Sequence, residues 1–117
     1  MQVTIYHNPR CSKSRKTMEL LLERGIEPEV IEYLNTPPDA ATLARLLEQL
    51  GRPIADIMRT GEQVCRDAAE QLQAMDESQQ LEWLAQNPQA LQRPIVVAGE
   101  QARIGRPPES VLEIIGT

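Results

Sequence analysis

Phenylalanine is absent from the 117 residues, and Tyr6, Tyr33 and Trp83 are the only aromatic side chains. Any core must therefore be filled by Leu, Ile, Val, Met and Ala, which is adequate for a single α/β domain of this length. Cysteine is scarce too. Cys11 and Cys65 are too few for a secreted disulfide framework and read as free thiols in a reducing compartment, with a Cys11–Cys65 bridge as the lesser alternative. No apolar run approaches the roughly 18 residues of a membrane span, and no apolar leader follows a charged start. A cytoplasmic protein without a membrane partner is expected. Cations are outnumbered, 12 against 17 acids for a formal charge of −5, which argues against nucleic acid or an anionic lipid surface as a general partner.

The cations that are present gather in one place. Residues 3–16, VTIYHNPRCSKSRK, carry Arg10, Lys13, Arg15 and Lys16 around Cys11 without a single acid, and Lys13 and Lys16 are the only lysines in the chain. VTIY (3–6) is short, apolar and β-branched and reads as a buried strand, with HNPR as its exit turn. Met18, Leu21 and Leu22 then form one helical face, and Gly25 is a plausible stop. EVIEYL (29–34) reads as a second strand parallel to the first, because a helix lies between them.

Thr36-Pro37-Pro38-Asp39 looks like a helix start, with Thr36 as the cap, and Leu43, Leu46, Leu47 and Leu50 follow at helical spacing up to Gly51. Residues 53–92 read as a helical insertion packed on the sheet, broken near Gly61, around Asp76 to Ser78 and at Asn87-Pro88, with a thin apolar stripe that includes Leu81 and Leu84. PIVVAGEQARIG (94–105) is a hairpin turning at Gly99-Glu100. Pro107-Pro108 opens a last helix with Val111, Leu112 and Ile115 on its face. The expectation is one domain over 1–117: an α/β, thioredoxin-like fold with a mixed four-stranded sheet, in the order β-α-β, helical insertion, β-β-α.

Between a strand end and a helix start, Cys11 meets unpaired backbone N–H groups and the positive end of the helix dipole. An ordinary cysteine of pKa near 8.5 is about 3% thiolate at pH 7, and a downward shift of two units, about 2.7 kcal/mol, makes it mostly ionised. His7 if protonated, Arg10 and Arg15 act in the same direction, and the same features bind a tetrahedral oxyanion. The competing reading is a small apolar cysteine beside an ordinary solvated cationic face.

Spacing separates neighbouring chemistries. A dithiol redox motif needs cysteine at position 14, which is Ser. A cysteine phosphatase loop needs arginine at position 17, which is Thr, and a phosphate loop of the Gly-rich kind lacks its glycines. Elsewhere Arg59 in IMRTG, Arg93 in QRPIVV and Arg106 in IGRPPE stand beside proline or glycine, and the planar guanidinium suits an oxyanion. Each alone is more commonly a surface residue.

YHNPRCSKSR, MR near the middle, RPIVV and RIGRPPE together resemble the glutaredoxin-linked arsenate reductase (ArsC-like) family, in matching order over essentially the whole chain. The stop at Thr117, without the longer tail of plasmid-type relatives, resembles its short chromosomal branch. The resemblance implies that Cys11 attacks arsenate to form a thiol-arsenate adduct, with glutathione as co-substrate and glutaredoxin completing the reduction to arsenite. It places the oxyanion-binding arginines at Arg59, Arg93 and Arg106 and the active-site histidine at His7. It gives supporting places to Asn8, Ser14 and Arg15, calls for no metal or bound cofactor, and suggests a cis Arg93-Pro94 bond. From the residues alone, Ser14 can donate a hydrogen bond to the thiolate from one helical turn away.

Cys65 stands where relatives tend to carry an aromatic and reads as a small buried or partly exposed residue rather than a resolving thiol. Two other functions compete. One is a redox-sensing regulator of the Spx type that binds RNA polymerase, against which Ser14 in place of a second cysteine weighs. The other is a glutathione-linked reductase of another substrate using the same Cys11. With no long apolar face left over, a monomer is expected.

Overall fold

The computed structural model describes residues 2–115; Met1, Gly116 and the chain end at Thr117 lie outside the described residues. The chain divides into two compact units, one formed by Met1–Thr36 and Arg93–Thr117, the other by Pro37–Gln92.

The first unit holds β1 (Val3–His7), α1 (Ser12–Glu23), β2 (Glu29–Glu32), β3 (Ile95–Ala98), β4 (Gln101–Ile104) and a 3-10 segment at Pro108–Glu113. The strands lie in the order β2-β1-β3-β4. β1 runs parallel to β2, while β1 with β3 and β3 with β4 are antiparallel. This is the mixed, thioredoxin-like α/β sheet expected from the sequence.

Period-two alternation puts Val3 and Ile5 on one face, and the register sets them opposite Ala98 and Val96. Those four join Leu21, Val111, Ile114 and Ile115 in one apolar cluster, with Met18 packed against it. Ile5 is fully buried, a contribution of about 1.5–3 kcal/mol. α1 stops at Gly25, whose φ of 74° is left-handed, and the N–H of Ile26 closes onto the Leu21 carbonyl at 3.0 Å.

The second unit contains α2 (Ala40–Leu50), a 3-10 turn at Ile54–Ile57, α3 (Gln63–Asp67), α4 (Ala69–Ala74), α5 (Glu77–Gln86) and a 3-10 turn at Pro88–Ala90. Leu43, Leu46, Leu47 and Leu50 are buried, and α2 packs against α5, which buries Leu81 and Leu84. α5 starts with a full capping box: the Asp76 carboxylate accepts from the Gln79 N–H at 2.8 Å, and the Gln79 side chain accepts from the Asp76 N–H at 3.0 Å.

Three local expectations need correction. Asp39, not Thr36, caps α2, its carboxylate accepting from the Thr42 N–H at 2.8 Å. Each proline disfavours helical backbone in the residue before it, so the helix cannot begin until Pro38 is passed. β2 ends at Glu32, because the N–H groups of Asn35 and Thr36 turn back onto the Glu32 carbonyl at 2.9 and 3.0 Å. The segment after Pro107 is a 3-10 helix rather than an α-helix, with Ser110 N–H donating to the Pro107 carbonyl at 3.0 Å, and it still buries Val111.

Candidate active site

Cys11 is the N-cap of α1 and keeps an extended backbone, φ −96° and ψ 124°. Its N–H donates to the Asn8 carbonyl at 3.0 Å, and its carbonyl accepts the first helical bond from Arg15 at 3.0 Å. No side chain caps this helix, so the N–H groups that a capping oxygen would take are available to the sulfur. Partial burial pushes the Cys11 thiol up. The Ser14 N–H, the Arg93 side chain and the Lys13 N–H outweigh that and hold it below its ordinary value.

Arg106 completes the cluster from the far end of the sheet. Its Nη2 donates to Cys11 Sγ at 3.8 Å and its Nε donates to the Arg93 carbonyl at 2.8 Å, so one guanidinium ties the cysteine to the start of β3. The Arg93-Pro94 and Arg106-Pro107 peptide bonds are both cis, the first as the resemblance suggests. Arg93 Nε is buried without an acceptor among the described residues. Such a group costs about 1–3 kcal/mol, so Arg93 is not placed there for stability.

His7 reaches this cluster differently from expectation. The residue is only 8% exposed, and Nδ1 meets Ser14 Oγ at 2.6 Å. Burial lowers the His7 pKa below 6.5, with Glu32 opposing and Arg15 assisting, so the ring is neutral at pH 7. The help that a protonated His7 would give the thiolate is thus disfavoured by burial, and the ring touches Ser14 instead.

Ser14 is corrected as well. Its hydroxyl oxygen accepts from the Asn8 N–H at 3.0 Å and is paired with His7, while its backbone N–H serves the sulfur. Helical geometry aims the N–H inward at the cap, whereas the side chain points back towards the strand end.

Asn8 and Arg15 shape the loop. Asn8 Oδ1 accepts from the Arg10 N–H at 3.0 Å, and Arg15 Nη1 donates to the Pro9 carbonyl at 2.9 Å. Arg15 is thus spent on the backbone rather than on the sulfur.

Three contributors escaped the reading of residue types: the Lys13 N–H, Thr17 and Gly105. Thr17 is fully buried and donates to the Lys13 carbonyl at 2.8 Å, and the Gly105 N–H donates to the Pro94 carbonyl at 2.9 Å. The one sequence signal for them is a glycine immediately before an arginine already suspected of binding anions.

Arg59 belongs to the second unit, where its N–H donates to the Ala90 carbonyl at 2.7 Å and its guanidinium pairs with Glu62 at 3.1 Å. Cys65 lies in α3 of that unit and is 4% exposed. Burial raises its thiol pKa, Glu62 adds to this and Arg59 opposes it. Both cysteines are free thiols. Among the described residues no group of three His, Cys, Asp or Glu could hold a metal ion, and no helix is long and apolar enough to cross a membrane.

The sequence profile of the ArsC family matches residues 6–114. The chain is 53% identical to the uncharacterized protein YfgD of Escherichia coli (strain K12), over 98% of each chain. It is 39% identical to an arsenate reductase of Neisseria meningitidis, over 97% of this chain and 98% of that one. Among solved structures, the arsenate reductase from Vibrio cholerae superposes with a TM-score of 0.94 at 45% identity, over 98% of each chain.

Proposed function

The chain belongs to the ArsC family, and from that premise we propose that it reduces arsenate to arsenite at Cys11, with glutathione and glutaredoxin as reductants. The Cys11 thiolate displaces one arsenate oxygen as water and forms a sulfur–arsenic bond. Glutathione displaces a second oxygen as water. A glutaredoxin thiolate then takes the glutathione sulfur into a mixed disulfide, and the electron pair left behind converts As(V) to As(III). Water cleaves the remaining bond and releases arsenite with the Cys11 thiolate restored. Across the cycle two thiols lose two electrons and one net water is formed.

The observation that carries this reading is one sulfur facing both a helix N-terminus and two guanidinium groups, Arg93 and Arg106. Those groups favour the thiolate before substrate binds, and they offset the charge of an oxyanion that approaches it. Arg59 is the third candidate oxyanion ligand on its sequence motif. His7 acts as a positioning residue through Ser14, and Asn8 and Arg15 hold the loop that presents Cys11.

Arsenite production from arsenate with glutathione and glutaredoxin tests the proposal. Cys11→Ser is expected to fall to background while Cys65→Ser keeps wild-type turnover. Undiminished turnover by the Cys11 variant would sink it. Turnover with a different dithiol donor but none with glutathione would retain the substrate and replace the reductant.

A further inference from the structure

Three segments of the unit that carries Cys11 meet at Gly105. Thr17 comes from the second turn of α1, Pro94 from the entry to β3, and Gly105 from the exit of β4. A Cβ on Gly105 would stand 2.6 Å from Thr17 Oγ1, 2.7 Å from Pro94 Cγ and 3.3 Å from Pro94 Cδ. The first two are closer than non-bonded atoms tolerate, and neither neighbour can swing aside. Thr17 Oγ1 is fixed by its bond to the Lys13 carbonyl, and Pro94 is a buried residue whose own carbonyl is held by the Gly105 N–H. No left-handed backbone is involved at this position; the requirement is one of space.

Each member of this contact is next to a group that faces Cys11. Pro94 follows Arg93, Gly105 precedes Arg106, and Thr17 bonds the carbonyl of Lys13, whose N–H faces the sulfur. Displacing the contact therefore displaces the guanidinium groups together. We propose that Gly105 is a positioning residue for the Cys11 site: its missing side chain lets β4's exit close onto α1 and Pro94, and so sets Arg93 and Arg106 against the sulfur. The inference rests on the reading that Cys11 works as a thiolate, but it concerns only how that thiolate is held.

Arg106 from the β4 exit and Arg93 from the β3 entry face the sulfur, His7 from β1 reaches it through Ser14, and Arg10, Lys13 and Arg15 flank it in the chain. An alanine at 105 changes none of their charges. The test is the pH profile of Cys11 alkylation by iodoacetamide in the Cys65→Ser background, followed by mass spectrometry, with no arsenate and no turnover. It can therefore fail while arsenate reduction stands, and the reverse.

Gly105→Ala is expected to raise the midpoint by about one unit, the size of one guanidinium drawn back from a thiolate, and to slow alkylation at low pH by about tenfold. Thr17→Ala added to Gly105→Ala removes the 2.6 Å obstacle and is expected to lower the midpoint part of the way back. A folded Gly105→Ala variant with the parental midpoint overturns the proposal, even if its melting temperature has dropped. Should that variant not fold, the double variant decides, because Pro94 remains in the way. Its midpoint stays above that of Thr17→Ala alone, and equal midpoints overturn the proposal.

Discussion

A single serine divides its backbone and its hydroxyl among three neighbours in this site. The Ser14 N–H serves the sulfur, and its hydroxyl holds the neutral His7 ring and the Asn8 backbone. The consequence for His7 has a definite sign. A histidine whose folded pKa lies below its unfolded value near 6.5 favours the folded state fully above 6.5. That contribution is lost as pH falls through the lowered folded pKa. Urea unfolding measured between pH 8 and pH 4.5 is expected to show less steep acid destabilisation for His7→Asn than for wild type. Identical slopes would mean that burial does not penalise the charged ring. The residue types that make the site were legible in the sequence, since Cys11, Arg93 and Arg106 stand out by charge and punctuation. The division of labour within Ser14 was not, because residue identity does not reveal whether a backbone or a hydroxyl reaches a neighbour.

At the scale of elements, local chemistry carried most of the prediction. β1 and the β3–β4 hairpin were readable because their apolar runs end in a His-Asn-Pro turn and a Gly99-Glu100 turn, both set by neighbours in sequence. α2 starts three residues later than its first proline suggests, because hindrance of the residue before each proline outweighs preorganisation at the first helical position. The last segment became a 3-10 helix where helical periodicity cannot distinguish one tight turn from another. The reciprocal cap of α5 is the element feature most open to measurement. Asp76→Ala is expected to cost about 1 kcal/mol in urea unfolding. The same change in a Gln79→Ala background should cost less, since the reciprocal bond is already gone.

At the scale of the whole molecule, the chain leaves the sheet unit after Thr36 and re-enters it at Arg93, so the two outer stretches of sequence must find each other before β1 gains its antiparallel neighbour. The core they make is small and free of phenylalanine, and its centre is Ile5, fully buried between helix and sheet neighbours. Ile5→Ala is expected to destabilise by about 2–5 kcal/mol in chemical denaturation, and a loss below about 1 kcal/mol would show a core that repacks freely. The same routing bears on how the site comes into being during synthesis. Arg106 lies 95 residues beyond Cys11, so a ribosome adds 95 more residues after the cysteine before that guanidinium exists. Arg93 is made thirteen residues earlier, and until Arg106 follows it the sulfur has at most one of its two guanidinium partners. Full stabilisation of a Cys11 thiolate therefore waits until both guanidinium groups have been made and folded onto the sulfur.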